Sequence, residues 1–145
     1  MSEPLSSITV HPDCRHFRGD IPCRPNKEHG YQCHGCPAYA PTEQRILIIK
    51  LGAIGDVIRT TPLLRRLRQD YPNSRITWLT LTPAILPQGG GWIDEILKLD
   101  LGAVLHLQQR EFDLLFNLDK DKEACALHDS IRAHQKFGYR LHPQY

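Results

Sequence analysis

The sequence predicts an α/β fold over residues 45–145, a parallel sheet with helices on both faces. Three observations predict it. Short apolar runs rich in β-branched residues recur along this stretch, amphipathic segments of helical period separate them, and Gly, Pro, Asn and Asp mark the junctions. Strands alternating with helices favour parallel pairing, so the expected architecture is Rossmann-like.

The elements follow in order. RILIIK (45–50) reads as a buried strand, short and bounded by turn residues. A helix should follow the next glycines: Val57, Thr61, Leu64, Leu67 and Tyr71 share one face, and Arg59 and Arg66 point away from it. Pro62 interrupts that pattern, so either the helix kinks there or its regular part begins with Thr61 as N-cap. YPNS ends it and RITWLTL is the second strand. TPAILPQGGGW gives a short helical turn and a glycine-rich loop, EILKLD a brief third strand, LGAVLHLQQ a helix and FDLLFNLD a fourth strand. Residues 121–134 read as a further helix and 136–141, KFGYRL, as a fifth strand.

Composition excludes several classes. The chain has 145 residues, one domain's worth, and a formal net charge of only +2 with no block of like charge, so nucleic acid is not an expected partner. It has no run of eighteen apolar residues, and MSEPLSSITV lacks the basic and apolar regions of a secretory signal. A cytoplasmic location is expected. There thiols stay reduced, so the five cysteines read as ligands, catalytic groups or core residues rather than disulfides.

Residues 1–44 differ from the rest. They hold four of the five cysteines and four of the eight histidines, with too few large aliphatics for a core of their own. Cys14, Cys23, Cys33 and Cys36 end in a C-x-x-C pair, which lets two thiolates from one tight turn reach one ion while the other two complete a tetrahedral site. A structural zinc is the first expectation, because it would supply the stabilisation this core-poor segment lacks. An iron–sulfur cluster uses the same four thiolates and is the alternative. His11, His16, His29 and His34 are near enough in sequence to replace one cysteine, and the plain reading is a leader with unrelated free thiols. Cys125, inside an amphipathic helix, reads as a small core residue.

The first strand-to-helix turn, GAIGD, carries the candidate chemistry. In doubly wound sheets ligands gather at the carboxyl ends of strands near the switch point. Gly52 and Gly55 permit tight or left-handed backbone and close ligand approach, and exposed amides there suit an anion. The pattern is neither G-x-G-x-x-G nor a Gly-Lys-Ser/Thr phosphate loop, which disfavours NAD and ATP. Asp56 begins a helix, where a carboxylate serves the helix terminus, and catalysis is the second reading on chemistry alone.

The run from Arg45, RILIIKLGAIGDVIRTTPLLRRLRQDYPNSRITWLT, and the later FDLLFNLDKDKEACAL and KFGYRL resemble glycosyltransferase family nine, the ADP-heptose:lipopolysaccharide heptosyltransferases. The resemblance covers about residues 45–141 and implies the amino-terminal, acceptor-binding half of a two-domain GT-B glycosyltransferase. It implies Asp56 as general base, Gly52 and Gly55 as shapers of the acceptor loop, and Lys50 as a contact for an anionic acceptor. Inverting transfer needs a base for the acceptor hydroxyl, and a carboxylate suffices when proton removal lags behind bond formation at a cationic sugar carbon. Lys120, beside Asp119 and Asp121 at the end of the fourth strand, is a further candidate contact. Arg59, Arg65, Arg66 and Arg68 read as a solvated helix face or, more sharply, as attraction to an acidic glycolipid acceptor at the cytoplasmic face of the inner membrane.

Nothing in these residues corresponds to the family's nucleotide-sugar domain, which would take a donor such as ADP-heptose. The chain alone is expected not to transfer sugar and to be a fragment, a truncated product or one part of a two-chain site. A similar cysteine-rich leader in a subgroup of these proteins also implies a metal knuckle. The alternative function is a non-catalytic, metal-bearing binding module with a Rossmann-like domain.

Overall fold

The computed structural model describes residues 9–142 and 144. The chain forms two compact units, Met1–Thr42 and Glu43–Tyr145, a boundary two residues before the one composition suggests.

In the larger unit five strands make one sheet: β1 (Gln44–Ile49), β2 (Ser74–Thr80), β3 (Glu95–Lys98), β4 (Glu111–Asn117) and β5 (Arg132–Gly138), ordered β3-β2-β1-β4-β5. Every adjacent pair is parallel, with Ile46 of β1 opposite Ile76 of β2 and Leu114 of β4. Side chains alternate along a strand, so β1 sends Ile46 and Ile48 to one face and Leu47 and Ile49 to the other. Helices α2 (Ile54–Thr60) and α3 (Pro62–Asp70) lay Val57, Leu64 and Leu67 on the first face with Ile76 and Trp78. Helices α4 (Leu101–Gln108) and α5 (Lys122–Ser130) lay Leu107, Ala124 and Leu127 on the second with Leu79 and Leu115. Burial on both faces explains why β1 and β2 read as near-continuous apolar runs. Each fully buried Leu or Ile contributes about 1.5–3 kcal/mol.

At Pro62 the pattern divides into two helices, with Pro62 at the first position of α3 and Thr61 in the N-cap place. Thr61 keeps helical dihedrals (φ −60°, ψ −31°) between α2 and α3, makes no side-chain cap, and donates its hydroxyl to the Ile58 carbonyl at 2.7 Å. Asp100 does cap α4, accepting the Ala103 N–H at 2.7 Å.

The carboxyl-terminal boundary differs from the sequence reading. Helix α5 stops at Ser130, and β5 starts at Arg132 rather than at residue 136. Ile131 takes extended dihedrals (φ −85°, ψ 140°) and is buried, which turns the chain into the sheet beside β4. As an edge strand with mostly exposed side chains, β5 lacks the apolar run that marks the inner strands.

Among its described residues the smaller unit is built from turns and one short helix, α1 (Arg24–His29), closed by Gly30 in the left-handed conformation at φ 72°. Cys14 bridges Pro41 in antiparallel fashion, the Arg15 N–H donates to the Ala40 carbonyl at 2.7 Å and the Thr42 N–H to Asp13 at 2.8 Å. Pro25 is the one buried residue among those described there. Among the described residues of the whole chain, no helix is long and apolar enough to cross a membrane.

Candidate functional site

The strand order reverses between β1 and β4, which puts the crevice at their carboxyl ends. Lys50, Leu51 and Gly52 leave β1 at this point. The Lys50 N–H donates to the Leu79 carbonyl at 3.1 Å, and the Leu81 N–H to that of Leu51 at 3.0 Å. On the other side the Leu118 N–H donates to the Ile49 carbonyl at 2.9 Å. The base of the loop is thereby held from β2 and from β4.

Asp119 completes the clamp. One carboxylate oxygen, Oδ2, accepts the N–H groups of Leu51 (3.0 Å) and Gly52 (3.2 Å) and lies 3.4 Å from Lys50 Nζ, while Oδ1 accepts the Asp121 N–H at 3.1 Å. The residue is 4% exposed. Burial penalises its charge, but the amides of Asp121, Gly52 and Leu51 with the Lys50 ammonium outweigh that and hold its carboxyl below the usual carboxylate range. Asn117, at the end of β4, supports it: its Oδ1 accepts the Asp119 N–H at 3.0 Å and its Nδ2 donates to the Tyr139 carbonyl at 2.9 Å. Gly138 packs against this turn at φ 97°, where a Cβ would stand 1.9 Å from the Asn117 carbonyl oxygen.

Asp56 is the opposite kind of acid. It sits in the first turn of α2 with its side chain 53% exposed, and its nearest cation is Arg59, itself exposed, at 3.6 Å. The N-cap is Ala53, which carries no capping group and holds φ 56°, ψ 95°. Among the described residues it is the only non-glycine with positive φ. Gly52 and Gly55 permit tight or left-handed backbone, and of the two the left-handed form is not used. A Cβ built on either meets nothing within 4 Å, so both leave open space around the loop. One acid is thus consumed in building the turn and the other is presented on it.

The remaining candidates separate in the same way. Lys50 is buried against Asp119, so its ammonium supports the loop from beneath. Lys120 is exposed beyond the same strand end. Arg59, Arg65 and Arg66 are exposed, with Arg66 paired to Asp70 at 2.9 Å. Arg68 departs from the basic cluster: it is 13% exposed and donates to the Ser74 carbonyl (2.7 Å), the Trp92 carbonyl (3.0 Å) and Asp94 (2.8 Å), fastening α3 to the sheet. Cys125 is buried between Asn117 Nδ2 and the Asp119 carbonyl, both at 3.7 Å, and burial pushes its thiol up. Sequence reasoning missed Asn117 and the role of Asp119. Their signal was an acid two residues past the strand beside the switch point.

In the smaller unit, Cys14, Cys23, Cys33 and Cys36 line one cavity of about 660 Å³, together with His11 and His16. His29 instead stacks on Tyr31, ring centroids 5.0 Å apart, and His34 is exposed. Among the described residues, no three His, Cys, Asp or Glu side chains gather at the spacing of one metal ion's ligands.

The parallel sheet of the larger unit is similar in fold to part of several solved glycosyltransferases. The glycosyl transferase family 9 structure from Veillonella parvula matches 66% of this chain and 31% of its own at 24% identity and a TM-score of 0.55. E. coli heptosyltransferase WaaC with ADP matches 63% of this chain and 33% of its own at 21% identity and 0.53. Among curated proteins, the lipopolysaccharide core heptosyltransferase OpsX of Haemophilus influenzae is 25% identical over 118 residues, covering 71% of this chain and 32% of OpsX. The 3-deoxy-D-manno-octulosonic acid transferase of the same organism is 48% identical over 46 residues, 32% of this chain and 10% of that protein. The chain therefore spans a tenth to a third of these curated relatives. No family model matches it.

Proposed function

We propose that residues 43–145 are the acceptor-side half of an inverting, heptosyltransferase-like glycosyltransferase acting on lipopolysaccharide core or a related cell-surface glycan, with Asp56 as general base. The observation that carries this reading is the pair of acids at the switch point: Asp119 spends its oxygens on the loop, and Asp56 keeps its own open to a ligand. The names of the heptosyltransferase relatives supply the substrate class.

In this reaction Asp56 takes the proton of the acceptor hydroxyl. The acceptor oxygen bonds to the anomeric carbon, and the nucleoside diphosphate leaves with the electron pair of the broken bond. The donor is a nucleotide sugar such as ADP-heptose, which the family resemblance assigns to a second domain. Lys50 and Asp119 act as positioning residues, while Gly52, Gly55 and Lys120 border the acceptor. Arg59 and Arg65 favour an acidic glycolipid, which supports work at the cytoplasmic face of a membrane.

Calorimetric titration of the chain with a deacylated, phosphorylated core oligosaccharide tests the acceptor reading. Saturable binding that protects the amides of residues 50–56 from hydrogen exchange is expected. Protection confined to other surfaces would contradict it and favour a non-catalytic binding module.

A further inference from the structure

The strands of a parallel sheet all finish at the same end, so the residue that follows β5 stands on the rim of the crevice beside the GAIGD loop. That residue is Tyr139, 54% exposed. The larger unit's other exposed aromatics among the described residues are placed differently. Trp92 precedes β3, at the opposite end of the sheet, and Phe137 lies within β5 with its ring stacked on Phe116, centroids 5.1 Å apart. Among the described residues no ring stacks on Tyr139.

The backbone of Tyr139 is held from two sides by one buried residue. Its N–H donates to the Asn117 carbonyl at 3.1 Å, and its carbonyl accepts Nδ2 of Asn117 at 2.9 Å. Gly138 permits this approach, since a Cβ there would collide with the same Asn117 oxygen. Asn117 in turn accepts the Asp119 N–H, and Asp119 holds the amides of Leu51 and Gly52. One run of hydrogen bonds therefore fixes an exposed aromatic residue relative to the loop that presents Asp56. Only β4 lies between β1 and β5, and neighbouring strands are spaced about 4.8 Å apart, so the loop after β1 and Tyr139 begin about 10 Å from each other. An acceptor ring at Asp56 and the ring linked to it would fill that distance.

We propose that Tyr139 is the stacking platform for the second sugar of the acceptor, which makes the site selective for an oligosaccharide over a single sugar. A sugar ring carries hydroxyls round its edge and polarised C–H groups on its faces, and the electron-rich face of a phenol ring attracts those C–H groups. The ring with the attacking hydroxyl lies at Asp56, and its neighbour lays a C–H face on Tyr139. This inference rests on the acceptor reading and adds the length of the acceptor to it.

The test is calorimetric titration of the natural chain, Tyr139→Ala and Tyr139→Phe with a deacylated, phosphorylated core oligosaccharide, with hydrogen exchange on each complex. Tyr139→Ala should bind about tenfold more weakly, and Tyr139→Phe, which keeps the ring, within about twofold of the natural chain. Trimming the oligosaccharide to the single sugar that bears the acceptor hydroxyl should remove the advantage of the natural chain over Tyr139→Ala. Both variants should melt with the natural chain, because the bonds to Asn117 use the backbone of residue 139. Natural affinity in Tyr139→Ala, with residues 50–56 still protected, would overturn the platform and leave the acceptor reading standing. Equal weakening by Tyr139→Phe and Tyr139→Ala would also overturn it, since the ring would then contribute nothing. Failure of the natural chain to bind the oligosaccharide would overturn both.

Discussion

The two units reach order by different means. The larger one buries both faces of a five-stranded sheet, from Ile46 and Ile48 on one side to Leu47 and Ile49 on the other. The smaller one buries a single proline among its described residues and gathers four thiols round a cavity. Apolar transfer can hold the first, while the second has too little apolar area to offset the entropy of ordering its chain. Stability of the two should therefore respond to different perturbations.

The largest separation should come from dilute denaturant. Hydrogen exchange should then show the amides of residues 9–42 losing protection altogether, with those of β1, β2 and β4 unchanged. Equal protection before and after would erase the contrast. Next in size, Asp119→Ala leaves the buried Lys50 ammonium uncompensated and frees two loop amides, so it should destabilise the larger unit by about 3–5 kcal/mol in denaturant melts. Gly138→Ala forces a side chain into the Asn117 carbonyl at a positive φ and should cost about 3 kcal/mol by the same measurement. Neither change should alter the exchange protection of residues 9–42.

Acid gives a subtler handle. The Asp119 carboxyl is held below its usual range in the folded chain, so its contribution to stability is complete above the unfolded value, near pH 4, and fades as pH falls through the lower folded value. The stability gap between the natural chain and Asp119→Asn should narrow as melts are taken from pH 6 toward pH 3. A gap that widens in acid would show that the amides and Lys50 do not stabilise the charged form.

Much of the larger unit was legible in the sequence because inner parallel strands advertise themselves. Runs such as ILII and ITWLT need both faces covered, and the glycine-bounded acid after β1 marks the switch point. The first half of the fifth strand was illegible for the converse reason: at the edge, residues 132–138 need no apolar pattern, and Ile131, buried at the junction, reads as one more helical apolar position. Pattern also cannot tell a working acid from a structural one. Asp56 and Asp119 differ in burial and in which N–H groups and cations lie within reach, and that depends on β4 pairing with β1. Arg68 makes the same point, since its partners Trp92 and Asp94 are distant in sequence.

The proposed role of Asp56 predicts a dissociation between stability and chemistry. With the nucleotide-sugar half supplied on the same chain, Asp56→Asn should melt within about 0.5 kcal/mol of the natural protein, because its carboxylate is exposed and only loosely paired. The direct measurement is turnover by that variant with oligosaccharide acceptor and nucleotide-heptose donor. A fall of about 10²-fold or more in kcat is predicted, and near-natural turnover would contradict the assignment of the base.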